Sequence, residues 1–208
     1  MKEDDIFLKD VIFKLNNMKK VDYYIPLYKD KLYHFYNRGN GKENIFFRDE
    51  NYFYFLRQYE KYLTDSIDTF AYCLLPNHFH LLGRIKTDNP NSVSEKFRKF
   101  FISYSMSINV QEKRKGNLFQ RGFKRKIIEN EKYFYSAVYY IHSNPVHHSL
   151  IKDLTQYKFS SYDTLCRDNK TLLCRNELME WFGGRNNFIK YHTEMKGNLI
   201  NDDYMIED

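Results

Sequence analysis

The residues of this chain best suited to chemistry lie in the segment PNHFHLL, where His78 and His80 are separated by one position. Alternate residues of a strand share a face, so the two imidazoles project together, with Cα atoms ~7 Å apart, and reach one divalent ion. Phe79 and Leu81 then turn to the packed side. Two histidines do not complete a site, because such a cation takes at least a third protein ligand. Alone, the pair also fits two strand histidines on a half-exposed surface. A second group is Tyr140 with Asn144, four residues apart and hence on one helical face, opposite a stripe of Phe134, Val138 and Ile141. That face offers a phenol beside an amide oxygen. Tyr140 is one of 19 tyrosines, for which ordinary amphipathic packing is the plain alternative, and Asn144 also reads as a helix end before Pro145.

Charge is the third signal. The net charge is +6, but Lys96, Arg98, Lys99, Lys113, Arg114, Lys115, Arg121, Lys124, Arg125 and Lys126 lie in one stretch with a single acid, Glu112. Ten bases less one acid give that stretch +9, and 6 − 9 leaves −3 for the rest. Interleaved with Phe100, Phe101, Tyr104, Phe119 and Phe123, it can neutralise phosphates and stack unpaired bases. The alternative is a solvated basic helix face beside a core stripe.

Several elements must position these groups. LYHFYNR reads as a strand stopping at Gly39, and Tyr52, Phe55, Leu56, Tyr59, Tyr62 and Leu63 mark a helix over about 50–63. DTFAYCLL and HFHLLGRI form a hairpin about Pro76-Asn77. Ser92 with Glu95 predicts a capping box opening a second helix, with stripe Val93, Phe97, Phe100, Phe101, Tyr104 and Ile108 and its end at Gly116. NLFQRGFKRKII is a strand candidate. A third helix runs from about Asn130 to Asn144, where Pro145 stops it. This order predicts an α+β sandwich with a central antiparallel sheet and helices packed on it.

Length and composition bound the rest. The 208 residues suit one domain with an appendage; 42% hydrophobic residues and 38 aromatics (19 Tyr, 18 Phe, one Trp) predict a ring-rich core rather than disorder. The expected organisation is a leader over 1–30 with an amphipathic stretch (IFLKDVIFKL), a catalytic domain over 31–150, and an irregular to helical C-terminal extension over 151–208 with a short helix near 177–182 and an acidic tail. Cys73, Cys166 and Cys174 form no C-x-x-C, so no disulfide framework or thiolate zinc site is expected. No apolar run approaches a membrane span and the first residues lack signal-peptide order, so a soluble cytoplasmic protein is expected.

YHFYNRGN (33–40), LLPNHFHLL (74–82), LFQRGFKRKII (118–128) and YIHSNPVHHSL (140–150), in this order, resemble the single-tyrosine HUH transposases, and among them the REP-associated tyrosine transposases. FSSYDTL (159–165) resembles the segment that follows. The resemblance spans about 31–166 and implies the ferredoxin-like HUH nuclease sandwich. It places the metal-binding His-hydrophobe-His on His78, Phe79 and His80, the nucleophile on Tyr140, and the helix-borne third ligand on Asn144.

The implied activity is transesterification of single-stranded, hairpin-forming DNA: Tyr140 attacks a phosphodiester in line and expels a 3′-OH, leaving a 5′-phosphotyrosine. One Mg²⁺ or Mn²⁺ on His78, His80 and Asn144 would polarise the phosphate. Exchange of one phosphoester for another retains the bond energy, and no P-loop is seen. Candidate DNA contacts are Arg38, Lys96, Arg98, Lys99, Arg121, Lys124, Arg125 and Lys126. The competing readings are an HUH replication initiator, a silent nucleic-acid-binding module derived from a transposase, and a metal-dependent hydrolase. Both homodimer and monomer fit the resemblance.

Overall fold

A computed structural model describes residues 25–196, so the amphipathic stretch near the N-terminus and the acidic tail lie outside the described residues. Four strands, β1 (Leu32–Arg38), β2 (Ile67–Leu75), β3 (His78–Ile85) and β4 (Lys124–Ile128), form one sheet in the order β2-β3-β1-β4. Each neighbouring pair is antiparallel. Helix α1 (Asp49–Leu63) joins β1 to β2 and helix α2 (Pro90–Gln111) joins β3 to β4. This is the split βαββαβ arrangement that the element order predicts.

Both connecting helices cover one face. Phe55, Leu63, Phe97, Phe100 and Tyr104 pack there on Tyr33, Phe35, Phe79 and Leu81. Burying each such side chain contributes ~1.5–3 kcal/mol, so the aromatic stripes hold both helices down. The other face carries α3 (Glu131–His147), followed by α4 (Tyr162–Cys166), α5 (Arg175–Trp181) and α6 (Arg185–Glu194). Phe70, Leu82, Phe134, Val138, Ile141, Leu165, Leu178 and Phe188 form a second core there. Residues 146–196 are thus a built part of the fold. Residues 159–174 also cover the open edge of β2: Leu74 N–H donates to Phe159 O, Ser161 N–H to Tyr72 O, and Cys174 N–H to Thr69 O. A covered edge cannot recruit another strand.

Four element boundaries differ from expectation. Helix α2 is capped by Asn89, whose Oδ1 accepts the Ser92 N–H (3.1 Å), while Glu95 pairs with Arg98. Asn is as good a cap as Ser, and proline at the first helical position has no N–H to satisfy. The same helix ends at Gln111, where Lys113 (φ 52°) reverses the chain before Gly116 is reached. Only Lys124–Ile128 of NLFQRGFKRKII is a strand, since Gly122 (φ 71°) breaks the extended run. Pro145 lies inside α3 rather than ending it. Only Val146 and His147 follow it in the helix, and its missing N–H removes a single bond, to the carbonyl of Ile141.

Candidate active site

Strand alternation and register assemble the site. His34, Tyr36 and Arg38 of β1 stand opposite Leu82, His80 and His78 of β3, so all six share the face that α3 covers. Tyr140 and Asn144 look back at that face. The Tyr140 ring lies 5.5 Å from the His80 ring and 5.9 Å from His34, edge-on to both. Asn144 Oδ1 is 3.3 Å from His78 Nε2, and the rings of His78 and His80 stand at right angles with centroids 5.1 Å apart. The sequence places Tyr140 and Asn144 opposite the core stripe of α3, as on a helix with a solvent side. Instead both sides of α3 are buried, one against the sheet and the other against α5 and α6. Asn144 stays helical before proline because its side chain is fully enclosed and tied at both ends.

The hydrogen bonds fix the polarity of His78. Asn77 Nδ2 donates to Lys42 O (3.3 Å), which turns Asn77 Oδ1 to His78 Nδ1 at 2.6 Å. His78 Nδ1 therefore carries the hydrogen and donates. Asn144 Nδ2 donates to Tyr140 O (3.4 Å), which turns Asn144 Oδ1 to His78 Nε2. With Nδ1 as the donor and the imidazole neutral, His78 Nε2 and Asn144 Oδ1 both turn lone pairs to the space between them, where a second proton or a metal ion would be shared. Adjacent ligand atoms ~2.1 Å from one ion lie ~3 Å apart, close to the separation seen. The His78 Nε2–Asn144 Oδ1 pair thus has the spacing of two ligands of a divalent ion, and the His80 ring stands beside it. Among the described residues no cluster of three or more His, Cys, Asp or Glu side chains is placed to hold one.

Burial, then the neighbouring His34, His78 and His148 rings, holds His80 neutral well below the ordinary histidine range. His34 is pulled down to about 3 by burial and then by Lys126. Neutral rings keep a lone pair free for an ion.

The basic candidates divide. Arg38 is the register partner of His78. Lys124 lies over the Tyr36 ring (5.5 Å) and Lys126 over Tyr133 (5.0 Å), both on the site face. Arg121 is exposed just beyond Gln120, whose N–H donates to Arg38 O (2.8 Å). Strand alternation turns Arg125 to the opposite face, where it is buried over Phe123 (5.0 Å), away from His78, His80 and Tyr140. Lys96, Arg98 and Lys99 belong to α2, also across the sheet. Lys96 is engaged with Asp65 and Ser66, both at 2.6 Å, and Arg98 with Glu95.

Sequence reasoning missed His34, Asn77 and His148, whose ring lies 4.7 Å from that of His78. Period-two alternation in YHFYNR already puts His34 and Tyr36 on one face, but only strand pairing shows that this face meets His80.

The four-stranded antiparallel sheet with its H-x-H pair facing a helix-borne tyrosine is the arrangement that the sequence resemblance implies. Comparison with known proteins narrows this. A curated Haemophilus influenzae protein named as a REP-associated tyrosine transposase is 27% identical over 103 residues, covering 46% of this chain and 58% of that protein's length. A solved REP-associated tyrosine transposase bound to a REP hairpin superposes with a TM-score of 0.60 at 20% identity, over 74% of this chain and 90% of that one, a likeness of fold. No protein-family model matches the chain. In sequence over part of its length, and in fold, the chain is similar to REP-associated tyrosine transposases.

Proposed function

We propose that this protein nicks and rejoins single-stranded, hairpin-forming DNA through a 5′-phosphotyrosine on Tyr140. The observation that carries the reading is the meeting of Tyr140 with His78, His80 and Asn144 on one buried face, with Asn144 Oδ1 3.3 Å from His78 Nε2. A Mg²⁺ or Mn²⁺ held by His78, His80 and Asn144 would polarise the scissile phosphate and neutralise charge on it.

Tyr140 is buried edge-on against the His34 and His80 rings, which holds its side chain beside the proposed ion site. As the Tyr140 Oη–P bond forms and the P–O3′ bond breaks, the phenol proton leaves Oη and the departing 3′ oxygen gains one. Attack on the phosphotyrosine by another 3′-OH reverses the exchange and joins strands. Lys124, Lys126, Arg38 and Arg121 give the DNA backbone a positive border beside the site. Among the described residues no helix is long and apolar enough to cross a membrane.

The test is incubation with labelled single-stranded hairpin DNA and Mn²⁺ followed by denaturing electrophoresis. A covalent protein–DNA adduct is expected, lost in Tyr140→Phe and His78→Ala. Cleavage that survives Tyr140→Phe would instead indicate hydrolysis by activated water, and tight binding without cleavage a silent module.

A further inference from the structure

We infer that His34 is a positioning residue for His80, accepting the His80 Nδ1 hydrogen and so leaving Nε2 as the nitrogen with a free lone pair. The inference rests on the reading that an ion is held by His78, His80 and Asn144. The bond joins His34 Nε2 to His80 Nδ1 at 2.9 Å, between rings 1% and 3% exposed. Neither ring has room to turn. Tyr36 lies against both, at 5.3 and 5.9 Å between centroids, and Tyr140 meets both edge-on.

Two proton arrangements satisfy that bond. If His34 donates, neutral His80 carries its hydrogen on Nε2 and cannot ligate. If His80 donates, Nε2 is a ligand and neutral His34 keeps its own hydrogen on Nδ1. The neighbouring histidine shows the same construction, with Asn77 Oδ1 holding His78 Nδ1 at 2.6 Å. Each histidine is thus gripped at Nδ1 by an acceptor from outside the ligand set, the usual way a protein fixes ring orientation around a metal.

Two measurements test this. The first is ¹⁵N NMR of the imidazoles in the metal-free wild-type protein, with His80 assigned through His80→Gln; it is expected to show His80 protonated at Nδ1. The second is calorimetric titration with Mn²⁺, where His34→Leu is expected to weaken binding ~10–100-fold and His34→Gln, which keeps an acceptor at the Nε2 position, only about threefold. A His80 proton on Nε2, a wild-type Mn²⁺ affinity in His34→Leu, or a loss in His34→Gln equal to that in His34→Leu would each overturn the role of His34. If the wild-type protein binds no Mn²⁺, the ion reading itself falls, and this inference with it. Should His34→Leu not fold, the wild-type tautomer measurement still decides.

Discussion

Asn144 does more than its position before a proline suggests. Its amide is oriented by the Tyr140 carbonyl, so its oxygen is committed to His78 Nε2. If that oxygen serves a cation, a carboxylate should serve as well or better. Asn144→Asp is expected to keep or tighten Mn²⁺ binding, while Asn144→Leu weakens it ~10-fold or more; isothermal titration of the two variants reads the difference. If the amide instead only closed a hydrogen bond to the ring, Leu and wild type would bind Mn²⁺ alike. His78, His80, Tyr140 and Asn144 were legible in the sequence because each pair is defined by spacing within one element. His34 and Asn77 were not, since their roles depend on the β1–β3 register and on the turn that carries Lys42 O to Asn77, pairings between segments about 35 residues or more apart.

At the scale of elements, the tyrosine helix is set by what lies behind it. On the side of α3 away from the sheet, His142 and His192 join α3 to α6 through a chain of defined polarity. His192 Nδ1 must donate to Phe188 O (2.8 Å), so its Nε2 accepts from His142 Nδ1 (2.9 Å), and His142 Nε2 accepts from Ser161 Oγ (2.8 Å). A proton added to His192 Nε2 would face the His142 N–H, donor against donor. Burial accordingly pulls His192 down to about 4 from 6.5. Below pH 6.5 the unfolded chain takes up a proton that the native chain refuses until about pH 4. This contribution to stability is therefore complete above pH 6.5 and declines as pH falls toward 4, by up to ~1.4 kcal/mol per pH unit. Urea unfolding at pH 7, 6 and 5 should show that decline, and His192→Gln should make it shallower; equal slopes in both proteins would show that His192 does not titrate on unfolding. The helices themselves were readable from apolar spacing. Pro145 was misread because propensity yields to packing once Tyr140, Ile141 and Asn144 are all enclosed.

Over the whole molecule, the concentrated positive charge of the sequence does not form one surface. The stretch from Lys96 to Lys126 begins on α2, on one side of the sheet, and ends in β4, whose alternate lysines emerge on the other side beside Tyr36 and Tyr133. Sequence proximity grouped these residues, and the sheet between them separates them. Lys96 and Arg98 are also engaged by acids, so α2 offers less positive field than its composition implies. In the proposed function, a DNA strand that reaches Tyr140 passes on the β4 side, where Lys124 and Lys126 emerge. Double substitution Lys124→Ala/Lys126→Ala is therefore expected to weaken binding of a hairpin with a single-stranded flank, and to reduce the slope of log K against log salt by ~1.4, about 0.7 for each single-strand phosphate no longer neutralised. Arg98→Ala/Lys99→Ala should leave both quantities nearly unchanged. Fluorescence anisotropy over a series of salt concentrations measures both, and the reverse pattern would put the DNA on the α2 face, out of reach of the tyrosine.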